Sequence, residues 1–286
     1  MSCLSVMLIL HHDIIWYFNI DRFCQRKEAM SKKFDFFQPI SSPRPVQVIV
    51  HRGLKSDAPE NTIPAFDLCV KHRFEWIEVD IYLTKDRQHV IIHDRHLETT
   101  TNGNGLVSEH TLEQILTLDA GSWFDPKFAG IRIPTLKETF DFCKGKINLY
   151  LDCKEIDPIL LVREIKETNM ESQVIVYDDP ATLDIIEIES NGTIATMPNY
   201  RTNPKISAWI GDNRPIALEI KYESVTPELI SSLKNEEVIV QVQCLGQTDR
   251  PEVWRELIEM GVDWIQTDYG DGVIAEIAKS SLRKTF

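Results

Sequence analysis

VQVIVHRGLKSDAPENTIPAFDLCVKHRFEWIEVDIYL, residues 46–83, reads as one β-α-β unit. Val46–Val50 is a β-branched apolar run, Ile63–Lys71 carries apolar residues at helical spacing, and Trp76–Leu83 is a second apolar run. Asn61 or Thr62 is placed to cap the helix, and Pro64 fits its first turn, where a missing N–H leaves no bond unmade. The two strands are apolar nearly throughout instead of alternating, as strands buried on both faces of a helix-covered parallel sheet should be.

The same unit recurs along the chain. Further strands are predicted at His89–Ile92, Ile147–Leu151, Gln173–Tyr177, Thr193–Met197, Ile216–Ile220, Val238–Val242 and Trp264–Thr267. Helical spacing marks Leu112–Leu118, Leu136–Cys143, Ile159–Thr168, Ala181–Glu189, Pro227–Leu233 and Pro251–Met260. With His89–Ile92 folded back on the second strand as a hairpin, eight main strands remain, which predicts an α/β fold of the (β/α)8 TIM-barrel class. A doubly wound open sheet is the alternative. Residues 95–135, rich in Gly and Thr, form a small insertion after the second strand.

Composition agrees with one large domain. The chain has 286 residues, 43% of them hydrophobic and 26% charged, with a net charge of −13. That excludes a disordered chain and a nucleic-acid binder working through a general basic field. An anionic substrate would need local cations or a metal. Cys3, Cys24, Cys69, Cys143, Cys153 and Cys244 show no CxxC pairing and read as free thiols. This favours a reducing, cytoplasmic setting and leaves secretion or a periplasmic location open. Residues 1–45 read as an N-terminal extension: 1–29 as an upstream or flexible tail before Met30, a more natural start, and 38–45 as an extended Pro-rich lead-in. The apolar runs in 4–18 are too short and interrupted to span a bilayer, so no stable membrane insertion is expected.

In a barrel of parallel strands the chemistry gathers at the C-terminal strand ends. The first ends in His51-Arg52-Gly53, the second carries Glu78 and Asp80, its hairpin extension ends in His93-Asp94, and the third carries Asp152 and Lys154. Glu219 and Lys221 close the sixth and Asp268 follows the eighth. Side chains two apart on a strand share a face, so Glu78 and Asp80 point together, as do Asp152 and Lys154. Clustered carboxylates call for a hard divalent cation such as Ca²⁺ or Mg²⁺, with Glu78, Asp80 and Asp152 as ligands. His51 and His93 suit acid–base work near neutral pH, and Arg52 and Lys154 suit an anion. The set describes metal-assisted phosphoryl transfer. His11, His12, His72, His89, His96 and His110 are read as structural or surface residues. Glu219 and Lys221 carry no assigned role, and Trp123 with Phe124 is either a substrate wall or the insertion's own core.

VIVHRG (48–53), PENTIPAF (59–66), EVDIYLTKD (78–86), VIIHD (90–94), TTNGNG (100–105), IPTLKE (133–138) and GVDWIQTDYG (261–270) together resemble the glycerophosphodiester phosphodiesterase family. The resemblance spans Val46 to Gly270. It implies a TIM barrel with that family's insertion, a divalent metal, Ca²⁺ or Mg²⁺, and hydrolysis of a small-molecule glycerophosphodiester to glycerol 3-phosphate and an alcohol. It makes His51 and His93 the acid/base pair, Arg52 and Lys154 phosphate-binding residues, and Glu78 and Asp80 metal ligands. Glu60 and Asn61 of the PENT tract become supporting residues. Two departures stand out. The third-strand ligand, usually Glu in a tract like EIK, is Asp152 in LDCK, and a tryptophan-containing tract at the seventh strand end is replaced by Gln243-Cys244-Leu245-Gly246. A lysophospholipid-cleaving phosphodiesterase and a non-catalytic phosphodiester-binding barrel are the alternatives.

Overall fold

The computed structural model of the chain describes residues 6–11, 14–19, 34–41, 44–198 and 215–283. The readings of Cys3, Cys24, His12 and Met30 lie outside them. Two compact units divide the chain, Met1–Phe34 and Asp35–Phe286. In the first, β1 (Val6–His11) and β2 (Ile14–Asn19) pair antiparallel.

The second unit holds β3 (Gln47–His51), β4 (Trp76–Leu83), β5 (His89–Ile91), β6 (Asn148–Cys153), β7 (Val174–Asp178), β8 (Ala195–Pro198), β9 (Ala217–Lys221), β10 (Ile239–Gln243) and β11 (Trp264–Thr267). Eight of these run parallel in the order β8-β7-β6-β4-β3-β11-β10-β9, and β5 is an antiparallel addition to β4. The first and last strands of the series are hydrogen-bonded neighbours, with Gln47 opposite Trp264 and Val50 opposite Thr267. Together with the approach of β8 to β9, this makes a nearly closed barrel and excludes the open sheet.

Among the described residues of this unit the helices are α1 (Ile63–Lys71), the short α2 (Leu112–Ile115), α3 (Leu136–Cys143), α4 (Pro158–Thr168), α5 (Pro180–Ser190), α6 (Pro227–Asn235), α7 (Pro251–Met260) and α8 (Gly270–Arg283). Proline opens α4 to α7, where its fixed φ is already helical. Asp157, Asp179 and Thr226 accept first-turn N–H groups of α4, α5 and α6. The expected capping of α1 is corrected. Thr62 occupies the cap position but gives its hydroxyl to Pro59 O at 2.5 Å, and Asn61 turns its amide to Asp80. The predicted helix at Leu112–Leu118 is a single turn ending at Ile115.

Strand alternation sorts the barrel into two layers. Val48, Val50, Ile77, Val79, Leu149, Leu151, Val240 and Val242 face outward into one core with Phe66, Leu136, Phe140 and Leu257 of the helices. Inside, the floor is aromatic: the Trp76 and Trp264 rings lie 4.7 Å apart. Phe36, just ahead of the Pro-rich lead-in, meets them edge-on at 5.0 and 5.6 Å. Phe36 and Ile40 are buried, so the chain from Asp35 is a packed part of the barrel unit. The insertion has its own small core of Val90, Ile92, Leu97, Val107, Ile115, Ala120 and Ile133. Trp123 stays half exposed outside that core, edge-on to Phe124.

Candidate active site

The chain leaves β3 through a sharp turn. His51 is its last residue, and Arg52 and Gly53 follow at φ 60° and 80°. A side chain on Gly53 would approach Ala65 to 2.8 Å, so glycine is needed there on two counts. Arg52 holds its left-handed backbone, an uncommon state for a branched-off Cβ, because its N–H donates both to Glu78 O and to Glu78 Oε2, each at 3.0 Å. Its guanidinium then lies in the mouth of the barrel, 2.9 Å from Glu60 Oε1 and 3.4 Å from Asp80 Oδ2. Burial would lower its pKa, but Asp80, Glu60 and Glu78 outweigh that and raise it, so it stays a cation.

Glu78 and Asp80 share the inner face of β4, and Asp152 is the register partner of Asp80 on β6. One oxygen from each of the three lies within 4.8 Å of the others. Asn61 donates to Asp80 Oδ2 at 2.8 Å. Lys154 Nζ sits 2.5 Å from Asp152 Oδ2 and 3.2 Å from Asp80 Oδ1. Burial drives the Glu78 carboxyl well above its usual range, and the Asp80 and Asp152 charges add to that. Burial also pushes Asp80 upward, yet Lys154, Arg52 and His93 hold it below its ordinary value. Asp80 Oδ1 is buried, and its one close polar contact is the Lys154 ammonium, an ion pair without hydrogen-bond geometry. An all-oxygen donor set of three carboxylates, with a buried oxygen that no hydrogen bond saturates, fits a hard divalent cation.

His93 follows β5, where Ile92 N–H bonds Asp80 O at 3.0 Å. Its Nδ1 is 3.0 Å from Asp94 Oδ1, and the Ile92–Asp80 backbone bond brings it alongside β4 next to Asp80. On the other side, His51 Nδ1 is 2.7 Å from Asp268 Oδ1, while Arg52 Nε–H points at Nε2 from 3.1 Å. That pair of contacts puts the proton on Nδ1, donated to Asp268, and makes Nε2 the acceptor of the Arg52 Nε–H. Burial, then Arg52 and Lys55, lower the His51 pKa against the pull of Asp268.

The structure therefore gathers every site residue read from the sequence: His51, Arg52, Glu60, Asn61, Glu78, Asp80, His93, Asp152 and Lys154. Two more join them. Asp268 holds His51, and Lys55 Nζ lies 2.8 Å from Asp268 Oδ1 and 3.1 Å from His51 Nδ1. Asp268 was visible as a polar strand end, and its role follows once β11 is known to lie beside β3. Glu219 is buried deeper in the barrel, accepting the Tyr150 and Tyr177 hydroxyls at 2.8 and 3.0 Å, and Lys221 is exposed. His89, fully buried between Glu164 and the Asp157 N–H, is structural.

A (β/α)8 barrel with carboxylates, histidines and anion-binding cations at its C-terminal mouth belongs to the class of barrel enzymes that transfer phosphoryl groups. Residues 51–271 match the family model described as the glycerophosphoryl diester phosphodiesterase family. A glycerophosphodiester phosphodiesterase of Caldanaerobacter subterraneus subsp. tengcongensis is 35% identical over 247 residues, covering 81% of this chain and 98% of that one. Another, of Bacillus subtilis, is 38% identical over 124 residues, covering 41% and 42%. Among solved structures, the glycerophosphodiester phosphodiesterase of Agrobacterium tumefaciens superposes with a TM-score of 0.74 at 27% identity, covering 80% of this chain and 99% of that one. The chain belongs to the glycerophosphoryl diester phosphodiesterase family.

Proposed function

We propose that the chain hydrolyses glycerophosphodiesters to sn-glycerol 3-phosphate and an alcohol, with Ca²⁺ or Mg²⁺ held by Glu78, Asp80 and Asp152 and with His51 and His93 as the acid–base pair. The observation that carries this reading is the convergence of three carboxylates, His51, Arg52 and Lys154 on one barrel mouth, with His93 one residue past the backbone bond from Ile92 to Asp80. When bound, such a cation polarises the phosphate oxygens and offsets the charge that grows on them.

Arg52, fixed by Glu60, presents a planar fork to a phosphate oxygen, and Lys154 adds a point charge from the end of β6. One histidine takes a proton from the nucleophile, water or the substrate's own glycerol hydroxyl, and the other returns a proton to the departing alkoxide. Asp268 keeps the His51 ring in one tautomer whose Nε2 is the accepting nitrogen, occupied by the Arg52 Nε–H until the nucleophile takes that place. No helix among the described residues is long and apolar enough to cross a membrane, and a small soluble diester is the proposed substrate.

The test is release of glycerol 3-phosphate from glycerophosphocholine and glycerophosphoethanolamine by the purified protein with Ca²⁺, Mg²⁺ or EDTA, against His51→Ala as the blank. Metal-dependent release that the variant lacks is the expected result. No release from either diester, with turnover of lysophosphatidylcholine instead, would overturn the substrate assignment.

A further inference from the structure

We propose that Asp249 is a positioning residue that aims Asp268, and through it the His51 ring, for the reaction assigned above. Asp249 lies after β10, three residues past the Gln243-Cys244-Leu245-Gly246 tract, and it is buried. Placed just before Pro251 and α7, it has the sequence position of a helix cap. It is not used as one: Arg250 is the cap residue, and α7 has no side-chain cap.

Its carboxylate instead turns to the end of the last barrel strand. Oδ2 accepts the backbone N–H of Asp268 at 2.7 Å. Oδ1 accepts the Thr267 hydroxyl at 2.5 Å and the Trp254 indole N–H at 2.8 Å. Thr267 Oγ1 in turn accepts the N–H of Tyr269 at 2.9 Å, so the whole turn from 267 to 269 is tied to one carboxylate.

The anchor behind it is rigid. Trp254 stands on α7 and packs so closely on α8 that a side chain at Gly272 would come within 2.7 Å of its ring. A chain of contacts thus runs from α7 through Asp249 to the Asp268 backbone, and from the Asp268 carboxylate to His51 Nδ1 at 2.7 Å. A carboxylate taken out of water is costly unless its lone pairs are filled, and here three donors fill them, all but one on the turn that presents Asp268. The same oxygens could not serve an asparagine equally well. Its amide would set a donor against one of three donors, and the backbone N–H of Asp268 is the one whose loss lets the turn move.

Because this inference rests on the proposed reaction, the experiment separates the two. Wild type, Asp249→Asn, Asp268→Asn and the double variant are compared on glycerophosphocholine with metal, with thermal unfolding as the check on folding. Asp249→Asn should lower kcat about tenfold or more with KM within about twofold, as a misaimed ring does. The double variant should be no slower than Asp268→Asn alone, because Asp249 acts only through Asp268. A double variant whose losses multiply, or an Asp249→Asn enzyme with kcat within about twofold of wild type, overturns the proposal.

Should Asp249→Asn fail to fold, Thr267→Val removes one donor and should give a smaller kcat loss at unchanged KM; an unchanged kcat overturns the proposal. If wild type cleaves no glycerophosphodiester, the reaction assignment falls, and ¹⁵N NMR of His51 still decides the clamp. Wild type should show the Nδ1–H tautomer and Asp249→Asn a mixture with Nε2–H. A His51 spectrum identical in the two overturns it.

Discussion

Asp152 is one methylene shorter than the glutamate the family pattern carries, yet its carboxylate reaches the cluster because register places it directly beside Asp80. The shorter arm leaves it 2.5 Å from Lys154, a cation that a metal must share it with. Asp152→Asn should therefore weaken Ca²⁺ and Mg²⁺ binding about tenfold or more, measured by titration calorimetry. Protons compete for the same cluster. Burial, reinforced by Asp80 and Asp152, raises the Glu78 pKa, so affinity should rise with pH until Glu78 is ionised, and binding should release protons. Binding heats that do not change between buffers of different ionisation enthalpy would contradict this. His51→Ala and His93→Ala should each lower kcat about 10²-fold or more through lost proton transfer. These residues were legible in the sequence because each closes an apolar strand with an incongruous charge. Asp268 was not given a role because its partner His51 lies across the seam between the last strand and the first, and Lys55, four residues past His51, because its partner Asp268 lies across that same seam.

At the scale of elements, the strands were legible and the insertion was not, since its order comes from single side chains rather than from periodicity. Asp119 shows how. Its carboxylate collects the N–H groups of Ser122, Gly130 and Gly121 and the Ser122 hydroxyl, which hold its pKa below the ordinary 3.8. A carboxyl depressed in the folded state stabilises it fully above that value and less as pH falls below it. Asp119→Asn should thus speed amide exchange of residues 119–131 at neutral pH, and the gap from wild type should narrow only in acid below about pH 4. Gly121 is equally specific: a Cβ there would meet Phe128 O at 2.0 Å. Gly121→Ala should loosen the same loop, and protease cleavage within 119–131 under native conditions would report it. The α1 cap was misread for a related reason. Asn61 and Thr62 have capping side chains, but the buried Asp80 and the Pro59 carbonyl compete for them more strongly.

For the whole molecule, alternation of strand and helix predicted eight parallel units, but closure is a pairing of residues more than two hundred positions apart, and local patterns carry no trace of it. The same holds for the barrel floor. Read locally, residues 35–45 belong to an N-terminal extension; in three dimensions Phe36 plugs the end of the barrel opposite the catalytic mouth, against Trp76 and Trp264. Trp76 is further fixed by its indole N–H to Gln47 Oε1 at 2.6 Å. Removing the Phe36 ring leaves a cavity against the paired indoles that little else can fill, because both stand on strands. Phe36→Ala should cost about 3 kcal/mol of stability, read from urea unfolding with an unchanged m value. At temperatures where the variant remains folded, kcat and KM should match wild type, since floor and mouth are separate layers of one barrel. A loss of activity without a loss of stability would show instead that packing at the floor sets the spacing of Glu78, which sits two residues above Trp76 on the same face of β4.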